Sequence, residues 1–151
     1  MTRVLFVCLG NICRSPMAEA VFKDYAAKKG LAAKFHFESR ATSNWEQGNP
    51  VHPGTMDILK KYNITFKDKK SQRITERDFL EYDYIIGMDK NNLKFLKNFE
   101  EGYYKHKVYP FIKRKDVPDP YYTGDFDETY ELLTKHMDRW FKLWLEDTKS
   151  R

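Results

Sequence analysis

The chain is poor in cysteine. Its two, Cys8 and Cys13, are too few for a disulfide framework and too close together for an ordinary structural bridge. Long apolar runs are also missing: Val4-Leu5-Phe6-Val7 is typical, far below the roughly 20 residues that a membrane crossing needs. Met1-Thr2-Arg3 leads straight into that run, which leaves no room for the apolar centre of a signal peptide. No Ser/Gly linker, repeat or low-complexity block divides the sequence, so a single domain over residues 1–151 is expected. The histidines, His36, His52, His106 and His136, share no ligand spacing and read as surface or supporting residues. No metal site and no cofactor are expected, and the expected compartment is a reducing cytoplasm.

Charged residues make up 32% of the chain and hydrophobic ones 41%, the balance of a folded domain. Lysine and arginine number 27 against 22 acids, a net charge of +5. Both signs are scattered. The densest basic stretch, Lys67 to Arg77, is broken by Asp68 and Glu76 and reads as a solvated surface, not as a nucleic-acid footprint. The charge suits anionic ligands such as phosphates.

Residues 3–8 read as a buried strand, being β-branched and aromatic without polar alternation. Residues 15–28 switch to helical spacing, with Met17, Val21 and Tyr25 on one stripe beside Ala18, Phe22 and Ala26. Further strands are predicted over 35–41, 84–87 and 107–110, and helices over 54–62 and 90–98. A last helix over 126–147 turns Tyr130, Leu133, Met137, Phe141, Trp144 and Leu145 inward. Alternating strands and helices imply an α/β fold: a parallel sheet with helices on both faces, in three layers. Ligands on such sheets sit beyond the carboxyl ends of the strands, which directs attention to the first strand-to-helix turn.

That turn runs Cys8-Leu9-Gly10-Asn11-Ile12-Cys13-Arg14-Ser15-Pro16. Gly10 and Asn11 tolerate positive φ, and Pro16 suits the first turn of a helix. A loop wound this way points successive N–H groups into one concavity at the positive end of a helix, an anion site. Arg14 adds a planar fork for two phosphate oxygens. The same field favours thiolate over thiol at Cys8, placed for in-line attack on phosphorus. The loop is neither a Walker A motif nor a dinucleotide fingerprint, for it lacks Gly-Lys-Ser/Thr and partner glycines. The leaving group needs a proton, and Asp119 in Val117-Pro118-Asp119-Pro120-Tyr121-Tyr122 is the candidate donor. Flanking prolines stiffen it, and Tyr121 and Tyr122 can wall a pocket for an aromatic ring.

These residues closely resemble the low-molecular-weight protein tyrosine phosphatases. Cys8 through Glu19 resembles their N-terminal signature, Asp119-Pro120-Tyr121-Tyr122 their acid loop, and Ser39, Thr42 to Trp45 and Tyr82 to Asp89 fall in the family's order. The likeness implies a four-stranded parallel sheet and a metal-free, two-step hydrolysis of phosphotyrosine in proteins and of small aryl phosphates. Cys8 would take the phosphoryl group while the amides of Leu9, Gly10, Asn11, Ile12, Cys13 and Arg14, with the Arg14 guanidinium, hold its oxygens. Asp119 would protonate the phenol and then activate water. Ser15 would stabilise the thiolate, Asn11 and Ser39 would brace the loop, and Trp45, Tyr121 and Tyr122 would line the entrance. Cys13 would trap oxidised Cys8 as a disulfide; buried filler is its plainer reading.

The resemblance implies phosphotyrosine-bearing proteins and a cognate tyrosine kinase as partners, with no nucleic acid and no membrane insertion. Some bacterial members are exported without a signal peptide, which leaves that route open beside the cytoplasm. One departure stands out: Lys69 aligns where the family usually carries a His bonded to the loop Asn. Either another group supports Asn11 or the loop is less rigid and turnover slower. A protein arginine phosphatase on the same scaffold is the alternative, but such enzymes carry Thr where this chain has Ile12. An arsenate reductase would need cysteines after Cys13, and a silent phosphotyrosine-binding module would not need Cys8, Arg14 and Asp119 together.

Overall fold

The computed structural model describes residues 1–149; the last two of the expected 1–151 domain lie outside the described residues. Four strands, β1 (Thr2–Cys8), β2 (Phe35–Ala41), β3 (Tyr84–Gly87) and β4 (Val108–Pro110), form one parallel sheet in the order β2-β1-β3-β4. The helices are α1 (Arg14–Lys28), α2 (Pro53–Lys61), α3 (Glu76–Glu81), α4 (Lys90–Asn98), α5 (Pro120–Thr123) and α6 (Phe126–Lys149).

β1 is flanked by strands on both sides and covered on both faces, which is why it carries no polar alternation. Val4, Phe6 and Cys8 enter one core with residues of α1, α2 and α6, whereas Leu5 and Val7 enter a second with Phe79 of α3 and Leu96 of α4. The edge strand β2 alternates buried and half-buried residues along its length, because only one of its faces meets a core. Phe22 anchors the larger core, its ring 4.9 Å from Phe6, 5.6 Å from Phe141 and 5.8 Å from Trp144. Truncating such a ring to alanine costs about 3–5 kcal/mol, so α1 is held firmly against the sheet.

The expected inner face of the last helix is confirmed at Leu133, Met137, Phe141 and Trp144, with Tyr130 and Leu145 packed at its margin. Trp140 joins them, and its indole N–H donates to the Phe111 carbonyl at 3.0 Å.

Two short helices had not been expected from periodicity. α3 is six residues long and starts at a reciprocal cap: Thr75 Oγ1 accepts from the Asp78 amide, and the Asp78 carboxylate accepts from the Thr75 amide. α5 turns the expected proline-stiffened loop into one helical turn, with Asp119 as its N-cap and Pro120 first in the helix. At the end of β3, a Cβ on Gly87 would lie 3.2 Å from Asn92 Cβ. The bare glycine lets the start of α4 approach the strand, which brings Asp89 to the sheet's carboxyl end.

Candidate active site

The loop between β1 and α1 is turned inside out by its carbonyls. Thr42 N donates to Cys8 O, Ser43 N and Oγ to Leu9 O, Ser71 Oγ to Gly10 O, His52 N to Ile12 O and Thr55 Oγ1 to Cys13 O. Distances run from 2.8 to 3.2 Å. Each of these five carbonyls is thus held by a neighbouring segment, which leaves the inner side of the loop to its N–H groups, as the Asn11 amide that donates to Cys8 Sγ illustrates. Ser71 and Thr55 are buried, and sequence reasoning assigned them nothing. No motif marks them, because their work depends on where the following segments cross the loop.

Within the loop Asn11 alone takes positive φ, 54°; Gly10 does not need it. A non-glycine residue there costs about 1 kcal/mol or more, so its side chain must be well held. It is. Asn11 Oδ1 accepts from the Gln72 amide at 3.1 Å, which fixes which end of the amide points where. Nδ2 then donates to Ser15 Oγ at 2.8 Å and to Ser39 Oγ at 3.0 Å. Ser39 Oγ in turn donates to Glu19 Oε1 at 2.7 Å. Ser15 Oγ lies 3.1 Å from Cys8 Sγ, and the Asn11 amide donates to the same sulfur at 3.3 Å. Both groups can donate to the sulfur, although the Ser15 hydroxyl also reaches the Arg40 carbonyl at 3.4 Å.

Gln72 answers the question that Lys69 raised: another group supports Asn11. Lys69 supports the next position instead. Its side chain is only 9% exposed, so the solvated-surface reading of the Lys67–Arg77 stretch fails at this residue. Its ammonium meets Glu19 Oε1 at 3.1 Å, Glu38 Oε1 at 3.0 Å and the Ser39 carbonyl at 2.9 Å. Lys23 holds the other oxygen of Glu19 at 2.6 Å. Burial pushes the Glu38 carboxyl up, but the charges of Lys69, Lys23 and Arg40 and the hydrogen bond from Lys69 together bring it below the usual carboxylate range.

Arg14, at the start of α1, is buried and fixed from behind. Nη1 donates to Asp89 Oδ2 at 2.7 Å and to the Val117 carbonyl at 2.9 Å, while Nη2 reaches Asp119 Oδ2 at 3.3 Å. Burial would lower its pKa, but the charges of Cys8, Asp119 and Asp89 raise it. Asp89 had not been given a role from sequence. It both caps α4 through the Asn92 amide and orients the guanidinium. Arg14 Nε is buried with no hydrogen-bond partner among the described residues, a donor that an anion's oxygen would satisfy. Asp119 Oδ1 accepts from the Tyr121 amide at 3.1 Å, so the carboxylate is pinned by its own helix cap. Cys13 is buried, and burial together with the charge of Cys8 pushes its thiol up to about 12.

A cleft of about 140 Å³ opens onto Cys8, walled by Ile12, Trp45, Asp119, Tyr121 and Tyr122. Trp45 is 74% and Tyr122 72% exposed. The expected site residues thus converge: Cys8 at the floor, Arg14 and Asp119 beside it, Ser15 and Asn11 beneath with Ser39 behind them, and the three aromatics at the mouth.

A sulfur beneath converging donors, an arginine and a facing carboxylate define a cysteine-dependent phosphatase. Comparison with known proteins narrows the class. The family model "Low molecular weight phosphotyrosine protein phosphatase" matches residues 3–150, and the chain belongs to that family. Low molecular weight protein-tyrosine-phosphatase YfkJ of Bacillus subtilis is 45% identical over 139 residues, covering 88% of this chain and 89% of YfkJ. The crystal structure of YfkJ superposes with a TM-score of 0.92 over 97% of this chain and 96% of that one, at 40% identity. SP-PTP, the low molecular weight protein tyrosine phosphatase of Streptococcus pyogenes, gives 0.88 at 50% identity, covering 94% and 92%. A Drosophila arginine phosphatase is more distant, with a TM-score of 0.83 at 28% identity over 95% and 98%.

Proposed function

We propose that the protein hydrolyses phosphotyrosine in proteins, and small aryl phosphates, through a phosphocysteine intermediate and without a metal ion. The observation that carries this reading is the sulfur of Cys8. The Asn11 amide donates to it and the Ser15 hydroxyl lies 3.1 Å away, inside a loop whose carbonyls at Cys8, Leu9, Gly10, Ile12 and Cys13 are bonded to neighbouring segments, beside Arg14 and Asp119.

The Cys8 thiolate attacks phosphorus, the S–P bond forms and the P–O bond to the phenol breaks. Loop amides from Leu9 to Arg14 and the Arg14 guanidinium hold the three equatorial oxygens; the orphan Nε–H supplies one such bond. Asp119 gives its proton to the departing phenolate, then takes one from the water that attacks phosphocysteine. That second attack breaks S–P and returns the thiolate, which Ser15 stabilises as it leaves. Trp45, Tyr121 and Tyr122 flank the aryl ring; a phosphoserine would be too short to reach Cys8 between them.

Cys13 has a protective role in this reading. A peroxide oxidises Cys8 to the sulfenic acid, the Cys13 sulfur attacks it, the disulfide forms and water leaves. The high pKa of Cys13 keeps it protonated and out of the phosphatase cycle. Oxidation of Cys8 removes one of the charges that raise that pKa. One domain over residues 1–151 carries the activity, phosphotyrosine proteins and a cognate tyrosine kinase are its partners, and the cytoplasm is its compartment. No helix among the described residues is long and apolar enough to cross a membrane. Ile12 at the cup favours tyrosine over the arginine-phosphatase alternative, whose relatives carry a hydroxyl there.

The test is turnover of p-nitrophenyl phosphate in EDTA, beside phosphoarginine and phosphoserine peptides. The expected result is turnover of the aryl phosphate and of phosphotyrosine peptides alone. Turnover only with added metal, or a preference for phosphoarginine, would overturn it.

A further inference from the structure

Two carboxylates wall the cleft, Asp119 and Glu46, and the reaction uses only the first. Glu46 follows Trp45 in a turn that closes on itself: Asn49 N donates to the Glu46 carbonyl at 2.8 Å and Asn49 Nδ2 to Glu46 Oε2 at 2.7 Å. Its stem lies against the loop, for a Cβ on Gly10 would meet Glu46 Cγ at 3.4 Å. The residue is half-buried, and among the described residues no cation stands within ion-pairing distance of it. Oε1 remains open to accept.

Such a charge is misplaced for phosphate alone. On a chain with a net charge of +5, an unneutralised carboxylate held at the rim of an anion cup repels an incoming phosphate dianion. The repulsion becomes attraction if the substrate brings its own positive charge to that wall. We propose that Glu46 is a specificity-determining residue that selects phosphotyrosyl segments carrying a lysine or arginine next to the phosphotyrosine. This rests on the aryl phosphate reading above and adds a substrate class to it. The site is partly exposed, so the effect is modest and screened by salt.

The experiment compares kcat/KM for two phosphotyrosyl peptides, one with lysine on both sides of the phosphotyrosine and one with glutamine. The wild-type protein is expected to prefer the lysine peptide roughly fivefold near 50 mM salt, with the ratio falling towards one near 0.5 M. Glu46→Gln brings the low-salt ratio close to one, and Glu46→Lys inverts it. A wild-type ratio within about twofold of one, or a wild-type ratio kept by Glu46→Lys, overturns the proposal. p-Nitrophenyl phosphate has no flanking residue and reports the cup itself. If a variant loses that turnover through misfolding, the salt dependence of the wild-type ratio decides. If the wild-type protein hydrolyses neither p-nitrophenyl phosphate nor either peptide, the aryl phosphate reading fails, a result distinct from failure of this selectivity.

Discussion

The floor and the mouth of the cleft are built on opposite principles. Behind Cys8, Asn11, Ser15, Ser39 and Glu19 are buried and bonded to one another, and Lys69 closes the series from the far side. At the mouth, Trp45, Tyr121 and Tyr122 stand more than half exposed, and Tyr121 meets the Tyr122 ring at 5.2 Å. A buried polar series specifies one geometry because each unsatisfied member would cost more than it gains. An exposed aromatic wall fixes little but offers wide apolar area at low cost. Chemistry therefore sits on the rigid side, and substrate choice on the adaptable one.

Substitutions can break this contrast. The largest effect belongs to the floor: Cys8→Ser should lower kcat by at least about 10⁴-fold while inorganic phosphate still binds, measured by turnover and calorimetry. Asp119→Ala, at the junction of floor and mouth, should lower kcat for aryl phosphates about 10²–10⁴-fold. An unchanged rate would remove it from the role of acid.

Lys69→Met tests whether the rear series matters to chemistry at all. We expect kcat to fall about tenfold with KM little changed, and Lys69→Arg to restore most of it. Stability at neutral pH should fall by about 2–4 kcal/mol, because two carboxylates lose a buried partner. The pH dependence has a definite sign. Glu38 is depressed in the folded state, so its share of stability is present above the unfolded carboxylate value and lost as pH falls through the folded one. The gap between wild type and Lys69→Met in urea unfolding should therefore narrow below about pH 4. A gap that widened in acid would contradict the assigned pairing.

The smallest effect belongs to the mouth. Tyr122→Ala should raise KM for aryl phosphates about three- to tenfold and change stability by less than about 0.5 kcal/mol. A large fall in stability would mean that the mouth is as tightly built as the floor.

The sequence was legible where local rules decide. β1 and β3 are uninterrupted apolar runs, α1 and α6 have clear stripes, and Cys8, Arg14 and Asp119 stand in motifs whose chemistry can be read from residue type and spacing. The short helices were hidden for different reasons. α3 holds only two apolar residues, and its one signal was the Thr75-to-Asp78 cap. α5 lay within a proline-rich segment that suggested a loop, although Asp119 before Pro120 is itself a capping signal. Ser71, Thr55, Gln72 and Asp89 were not legible, because each acts on the loop from a segment distant in the chain. Lys69 was misread for the same reason: a lysine among lysines looks solvated until the fold lays it against Glu19 and Glu38.

The central claim is that sulfur, and no other atom, carries the phosphoryl group between the two steps. Rapid acid quenching during p-nitrophenyl phosphate turnover, followed by mass spectrometry of the peptide that contains Cys8, tests it directly. The account predicts a gain of about 80 Da on Cys8 that appears with substrate and vanishes when substrate is spent. Active protein that never shows this adduct, or shows it equally in Cys8→Ser, would contradict it.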